Sequence, residues 1–255
     1  MNNSSLAPIP VLAIDAGNTR IKWGLRVGDE WVAKGAIATS EAGKLGRDWP
    51  PMPQGTQALG SNVGGAAVQG LLFEACARHD LVLALIAPRR EQLGVTSAYR
   101  DAAQLGADRW AALVAARQRL LTAELFPQPA VVVNVGTAVT VDALDGEGVF
   151  RGGLILPGLQ LMLRSLADHT AGLKVPAGSF RDFPTNTGDA LYSGATQAIA
   201  GAIRMMRARL ASPTAEVKCF LSGGAAGEIA PHIDGAVEVV EHLVLEGVLA
   251  LADTD

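Results

Sequence analysis

One pattern occurs twice in this chain, near its start and again just past its midpoint. Residues 11–25, VLAIDAGNTRIKWGL, have the pattern of an apolar strand, a short polar turn and a returning strand. Residues 130–144, AVVVNVGTAVTVDAL, follow the same plan about 119 positions later. A third strand is also repeated, since KGAI at 34–37 has a counterpart in RGGLI at 151–155. A repeat this long indicates two related domains rather than a stack of short units.

The rest of the chain alternates between strand and helix patterns, which favours an α/β fold. With 255 residues, 49% of them hydrophobic, the chain can bury a large core. We predict two domains, residues 1–115 and 116–255, with a ligand in the cleft between them. Further strands are predicted at 57–62, 81–87 and 216–221, and helices at 68–78, 108–121, 157–168, 188–210 and 243–251.

The turn of the first hairpin carries groups that suit a phosphate. Gly17 and Asn18 tolerate the positive φ angles of a tight turn, which would leave Thr19 and backbone N–H groups facing a ligand. Asp15 would repel a phosphate directly, so its useful role is to hold Mg²⁺ or its waters beside one. The alternative is a structural hairpin in which Asp15 only caps the turn.

Composition and motifs argue against several classes of protein. The net charge is −4 and the basic residues do not cluster, so nucleic acid is not expected as a partner. Neither a signal peptide nor an apolar stretch of membrane-spanning length is recognisable, so we expect a cytoplasmic protein without membrane contact. P-loop, GxSxG and HExxH patterns and a GxGxxG following a strand are absent, so any phosphate would be bound by the hairpins.

A polar segment, YRDAAQLGADR at 99–109, lies between the two hairpins and leads into a predicted helix. An aspartate at a helix start, here Asp108, can take the proton of an acceptor hydroxyl. The adjacent Arg109 offers a bidentate site for a carboxylate. The alternative is that Asp108 is an ordinary N-cap residue and that Arg109 is exposed.

Small residues follow the late strand, with the sequence SGGAA at 222–226. Their size would let a flat ligand such as adenine approach the backbone closely. An ordinary strand-to-helix turn is the alternative.

Two Gly/Thr hairpins in a duplicated α/β chain resemble the actin-like (ribonuclease H-like) fold of acetate kinase, sugar kinases, Hsp70 and actin. That resemblance implies ATP in an interdomain cleft. Five segments, in this order, are similar to type III pantothenate kinases: DAGNTRIKWG, YRDAAQLGADR, NVGTAVTVD, GGLILPGLQLMLRSLADHTAGL and NTGDALYSGA. The similarity runs from about residue 11 to about residue 250. It implies ATP-dependent phosphorylation of pantothenate to 4′-phosphopantothenate, the first step of coenzyme A biosynthesis.

The resemblance also implies roles for individual residues. Asp108 matches the catalytic base, Arg109 the group that holds the substrate carboxylate, and Asp15 a position beside the Mg²⁺ of Mg²⁺–ATP. The implied ATP-binding residues are Asp15, Ala16, Gly17, Asn18, Thr19, Arg20, Ile21, Lys22 and Thr137. The implied pantothenate-binding residues are Tyr99, Gly106, Ala107, Asp108, Arg109 and Thr187.

Asn134 departs from the family pattern. Relatives usually have Asp at this position, which is associated with a monovalent cation such as K⁺ or NH₄⁺. An amide oxygen can ligate K⁺ but lacks the charge attraction, so weakened or absent cation binding is expected here.

The resemblance further implies a homodimer, with the helices predicted at 188–210 and 243–251 as candidates for its surface. Two alternative functions remain. One is a non-catalytic ATP-binding regulatory protein of the same fold, since some relatives were first described as accessory factors for transcription. The other is a phosphatase that positions water in place of the acceptor alcohol.

Overall fold

The computed structural model describes residues 8–123, 127–168, 177–212 and 215–252. Within these ranges the chain forms two compact units. Unit 1 comprises Met1–Arg89, Ala103–Ala115 and Val244–Asp255, and unit 2 comprises Arg90–Ala102 and Ala116–Leu243. The units are interleaved along the chain, and the division into 1–115 and 116–255 stays a prediction. The end of the fourth family-like segment, residues 169–173, lies outside the described residues.

Unit 1 is built on one sheet, which has five strands in the described part of the chain. They are β1 (Val11–Ala16), β2 (Arg20–Val27), β3 (Glu30–Ala38), β4 (Gln57–Asn62) and β5 (Leu83–Leu85), in the order β3-β2-β1-β4-β5. The first three form an antiparallel meander, and β4 runs parallel to both β1 and β5. Because β1 is central, successive residues on both of its faces, Leu12 to Ile14, are completely buried.

Unit 2 repeats this strand order in a larger sheet. Its strands are β6 (Glu91–Gln92), β7 (Val95–Ser97), β8 (Ala130–Val135), β9 (Ala138–Leu144), β10 (Val149–Pro157), β11 (Lys218–Ser222) and β12 (Val237–Val239). The order is β12-β11-β8-β9-β10-β7-β6, so β10-β9-β8-β11-β12 corresponds to β3-β2-β1-β4-β5. The duplication predicted from the two hairpins therefore extends to whole sheets.

The helices are α1 (Ala66–Ala77), α2 (Ala107–Thr122), α3 (Leu159–Asp168), α4 (Thr187–Leu210), α5 (Ala226–Ile229) and α6 (Leu243–Ala252). Helix α4 is capped by Asn186, whose side chain accepts a hydrogen bond from the Asp189 N–H at 2.9 Å. In unit 1, α6 packs closely on α2, since a Cβ added to Gly247 would collide with the carbonyl oxygen of Ala111. No helix in the described ranges is long and apolar enough to cross a membrane.

Candidate active site

The first hairpin turn is held by a residue that follows the third strand. Thr39, just after β3, donates its hydroxyl to the Gly17 carbonyl oxygen at 2.8 Å and its N–H to the Thr19 carbonyl oxygen at 2.9 Å. The prediction of positive φ angles in this turn is wrong, because neither Gly17 nor Asn18 has one. Glycine is favoured for a different reason, since a Cβ on Gly17 would lie only 3.2 Å from the Arg20 carbonyl oxygen. Asn18, Thr19 and Arg20 are exposed.

Asp15 is the fifth residue of β1, and only the buried Ala16 separates it from this turn. It lies in register with Lys22 on β2 and with Ser61 on β4. The Ser61 hydroxyl donates a hydrogen bond to Asp15 Oδ1 at 2.8 Å. Burial raises the pKa of Asp15 to about 6, and the negative charge of Asp108 adds to the rise, while Ser61 and Lys22 oppose it.

Asp108 lies in the first turn of α2. The helix begins at Ala107, and the Trp110 N–H donates to the Gly106 carbonyl oxygen at 3.0 Å, which makes Gly106 the capping residue. Asp108 is therefore not the N-cap, and Arg109 is only 7% exposed, so the alternative of a capping Asp108 with an exposed arginine does not describe this helix start.

The position of the Asp108 carboxylate is set by its neighbours. The Arg109 backbone N–H donates to Asp108 Oδ1 at 2.8 Å. A Cβ added to Gly106 would lie 2.5 Å from the same oxygen, so the glycine makes room for it. Burial raises the pKa of Asp108, against the hydrogen bond and the positive charge of Arg109. Unit 1 thus brings the predicted base and Asp15 within electrostatic reach of each other.

The second hairpin turn, in unit 2, is held in a similar way. The Gly136 N–H donates to the Ala138 carbonyl oxygen at 3.0 Å, and the Gly158 N–H donates to the Thr137 carbonyl oxygen at 2.8 Å. A Cβ on Gly158 would collide with the carbonyl oxygens of both turn residues. Thr137 is exposed at the tip of this turn.

Asn134 has the same place in unit 2 that Asp15 has in unit 1. It is partly buried and lies in register with Thr140 on β9 and with Ser222 on β11. The small residues after β11 pack on this strand, since Gly223 has a φ of 103° and a Cβ there would collide with the Val135 backbone. A larger residue at Gly223 would push this segment away from β8.

Tyr99 and Thr187 both belong to unit 2, whereas Gly106 to Arg109 belong to unit 1. The Tyr99 ring lies 5.1 Å from the ring of Phe150, and its N–H donates to the Ser97 hydroxyl at 3.3 Å. Thr187 is the first residue of α4 and is exposed. The combination of these residues into one pantothenate pocket stays a prediction.

A groove of about 810 Å³ occurs elsewhere in unit 2. Phe180, Gln197, Arg204 and His232 are among the residues that line it, and the rings of Phe180 and His232 lie 4.0 Å apart. None of the predicted site residues borders this groove. Within unit 2 it is therefore separate from the second hairpin turn.

Sequence reasoning missed three residues that shape these turns: Thr39, Ser61 and Gly158. A signal for Ser61 was present in the repeat. Aligning the fourth strands of the two halves, QALGSN and KCFLS, places Ser61 opposite Ser222. Thr39 and Gly158 have no comparable signal, because their roles depend on which strands meet at the hairpin turns.

Comparisons with known proteins identify the family to which the chain is similar. Residues 11–209 match the family model described as type III pantothenate kinase. The type III pantothenate kinase of Nitrosospira multiformis is 44% identical over 243 residues, which cover 95% of this chain and 90% of that protein.

Solved structures share the fold at lower identity. A candidate Baf family transcriptional activator from Campylobacter jejuni is 20% identical, with a TM-score of 0.61 and coverage of 95% of this chain and 97% of that one. A candidate N-acetylmannosamine kinase from Listeria monocytogenes is 14% identical, with a TM-score of 0.53 and coverage of 97% and 100%. The predicted duplicated actin-like fold is confirmed by these likenesses and by the repeated strand order.

Proposed function

This chain belongs to the type III pantothenate kinase family, and we propose that it transfers the γ-phosphoryl group of ATP to pantothenate, giving 4′-phosphopantothenate and ADP. The observation that carries the residue assignment is that Asp15 and Asp108, both in unit 1, lie close enough for the charge of Asp108 to raise the pKa of Asp15. The two carboxylates lie next to different groups. Asp15 lies beside the hairpin turn, and Asp108 lies beside the buried Arg109. A phosphate bound at the hairpin turn would therefore lie near an acceptor substrate whose carboxylate is bound by Arg109.

Asp108 acts as the base in this proposal. Its carboxylate takes the proton from the primary hydroxyl of pantothenate as that oxygen attacks the γ-phosphorus and the bond to the β-phosphate oxygen breaks. Arg109 holds the pantothenate carboxylate, and Tyr99, Gly106, Ala107 and Thr187 complete the substrate contacts. Because phosphoryl transfer passes through a loose transition state, positioning contributes most of the rate enhancement and the base contributes less.

ATP is assigned to the two hairpin turns. Residues Asp15 to Lys22 form the first phosphate segment and Thr137 belongs to the second, with the small residues after β11 as the approach for adenine. Asn18, Thr19, Arg20 and Thr137 are exposed on their turns, which supports this assignment.

The single carboxylate of Asp15 fits an Mg²⁺ ion that is held mainly by ATP and water. No group of three or more His, Cys, Asp or Glu side chains that could hold a metal occurs in the part of the chain that is described. Mg²⁺ is usually bound by one or two carboxylates together with substrate phosphates and water, and Asp15 supplies such a carboxylate. When bound there, the ion would neutralise phosphate charge. A monovalent cation at Asn134 is not part of the proposal, because the amide offers no charge attraction.

We propose a cytoplasmic homodimer as the working form. The C-terminal helix is not a candidate for its surface, because the apolar side chains of α6 are buried within the fold. Helix α4 keeps one large apolar residue at its surface, since Met205 is 58% exposed. Helix α4 is therefore the remaining candidate of the two helices considered for the interface.

A coupled assay of ADP formation tests the function. Purified protein with ATP and Mg²⁺ should form ADP only when pantothenate is added, and the product should carry the phosphate on the primary alcohol. ADP and phosphate release without an acceptor would indicate the phosphatase alternative. ATP binding with no turnover under any cation condition would indicate the regulatory alternative, and either result would exclude the proposed reaction.

A further inference from the structure

A buried serine on β4 is hydrogen-bonded to the carboxylate of Asp15, close in sequence to the first hairpin turn. Ser61 is completely buried and lies in register with Asp15 across the parallel pair of β1 and β4. Its hydroxyl donates to Asp15 Oδ1 at 2.8 Å. This contact joins two residues 46 positions apart, and Ser61 belongs to none of the segments that resemble the kinase family.

A hydroxyl is an unusual choice for such a position. Central strands of a sheet covered on both faces normally carry apolar or β-branched residues, as Leu12 and Ile14 do on β1. A buried hydroxyl is costly unless it is hydrogen-bonded, and a bond to a carboxylate is among the stronger ones available. The Ser61 hydroxyl therefore serves Asp15 rather than general packing.

The bond leaves the two carboxylate oxygens of Asp15 in different situations. Oδ1 is occupied by Ser61, whereas Oδ2 accepts no hydrogen bond from any residue that the structure describes. The side chain is thereby held in one orientation, with one oxygen committed to the protein. The other oxygen remains for a ligand at the hairpin turn.

The second half of the chain repeats the placement. Ser222 on β11 lies in register with Asn134 on β8 and is only 4% exposed. A buried serine thus stands beside the polar residue that precedes the turn in both units, although the polar residue itself differs. The repetition therefore concerns the placement of the serine, since no side-chain hydrogen bond joins Ser222 to Asn134 in the described part of the chain.

We propose that Ser61 is a positioning residue for phosphoryl transfer, which fixes the Asp15 carboxylate so that its free oxygen meets the Mg²⁺ of bound ATP. This inference rests on the proposed function only in placing Mg²⁺–ATP at the first hairpin turn. Ser61 itself touches neither substrate in this scheme. Its effect passes entirely through Asp15.

Calorimetric titration of the ligand-free protein with ATP tests this, once with excess Mg²⁺ and once with EDTA. Removing a residue that orients a metal ligand typically costs about 10- to 100-fold in metal affinity. Ser61→Ala should therefore weaken ATP binding in Mg²⁺ by about tenfold or more and leave binding in EDTA unchanged. The KM for pantothenate should stay within about twofold of the wild-type value.

Two further variants separate positioning from a general loss of stability. Ser193→Ala removes another buried hydroxyl, one that accepts a hydrogen bond from the Arg181 N–H at 2.9 Å, and should leave ATP binding unchanged with and without Mg²⁺. In an Asp15→Asn background, Ser61→Ala should cause no further loss of the Mg²⁺ effect, because the two residues act as one unit. If Ser61→Ala does not fold, Ser61→Cys keeps the volume but donates poorly, and replaces it in both titrations.

Three results would overturn the proposal. They are an unchanged Mg²⁺ effect in the folded Ser61 variant, an equal loss of ATP binding in EDTA, and wild-type ATP binding that does not respond to Mg²⁺. Failure of the proposed function is recognised separately. A wild-type protein that binds Mg²⁺–ATP but forms no ADP with pantothenate would exclude the kinase reaction, and the binding comparison would still decide the role of Ser61.

Discussion

Asp15 and Asn134 occupy the same position in two sheets of the same strand order. Each is the fifth residue of a central strand, VLAIDA in β1 and AVVVNV in β8, and each lies in register with a buried serine, Ser61 or Ser222. The two halves of the chain have therefore kept the geometry of this strand end while diverging in charge. One half offers a carboxylate and the other a neutral amide.

Replacing the proposed base should separate catalysis from folding. Asp108→Asn keeps the size and an acceptor oxygen for the Arg109 N–H, so the protein should fold with wild-type or higher stability at neutral pH. The kcat for pantothenate phosphorylation should fall by about 10²- to 10⁴-fold, the usual contribution of a general base. Steady-state kinetics together with circular dichroism check this, and near-normal turnover would exclude Asp108 as the base.

Gly106 should be required for the position of Asp108 rather than for the fold. In Gly106→Ala the new Cβ would meet Asp108 Oδ1 at 2.5 Å, and the flexible carboxylate would move away. We expect kcat to fall by about 10- to 100-fold, because small misplacements of reacting groups are costly.

Gly70→Ala is the matched control for this change. Gly70 lies inside α1 with no atom within 4 Å of an added Cβ, so the variant should gain about 0.5–1 kcal/mol in free energy of unfolding at unchanged kcat. Kinetics and urea titrations measure both effects. Equal kcat values for the two variants would contradict the role assigned to Gly106.

The buried carboxyl of Asp15 should make the ligand-free protein less stable as the pH rises. Its pKa in the folded state, about 6, lies above the ordinary value of 3.8, so the neutral form is favoured by folding. That stabilisation is complete below about pH 4 and is lost as the pH rises through about 6. The loss is about 3 kcal/mol, since each pKa unit corresponds to about 1.4 kcal/mol.

Urea titrations of wild-type and Asp15→Asn protein across this pH range, with EDTA present, measure the contribution. The wild-type free energy of unfolding should fall relative to that of the variant as the pH is raised. If the free energies of unfolding of the two proteins change in parallel with pH, burial does not raise the pKa of Asp15. Mg²⁺–ATP should reduce the difference, because the ligand would compensate the carboxylate charge.

Much of the fold was predictable because its main elements are long and periodic. The hairpins at 11–25 and 130–144 and the helices α2 and α4 lie within a few residues of their predicted bounds. Strands β6, β7 and β12 were missed, because segments of two or three residues carry no period of their own. They form through pairing with distant strands, as β7 does with β10.

The candidate site was predictable only where its chemistry is local. The pair of Asp108 and Arg109 is visible in the sequence, and so is Asp15 before a turn. The bond between Ser61 and Asp15 depends on the register of two parallel strands, and the burial of Arg109 depends on tertiary packing. Neither is contained in the spacing of residues along the chain.

The close approach of α6 to α2 should be essential for stability. Gly247→Ala would place a methyl group against the Ala111 carbonyl oxygen, which is backbone and cannot rotate away. Overpacking of this kind usually costs about 1–3 kcal/mol. Thermal denaturation beside Gly70→Ala measures the loss. An unchanged midpoint would indicate that the two helices can separate without cost.

The divergence of Asn134 from Asp15 should decide how the enzyme responds to monovalent cations. The wild-type rate with saturating Mg²⁺–ATP should be nearly the same in K⁺, NH₄⁺ and a large organic cation, because the Asn134 amide provides no charge attraction. In Asn134→Asp a carboxylate near the cation adds about 1 kcal/mol or more, so K⁺ or NH₄⁺ should raise the rate about fivefold or more. Asn134→Ala, which lacks both oxygen and charge, is the control and should show no cation effect. Strong activation of the wild-type enzyme by K⁺ would instead mean that the amide oxygen at this strand end is a sufficient ligand.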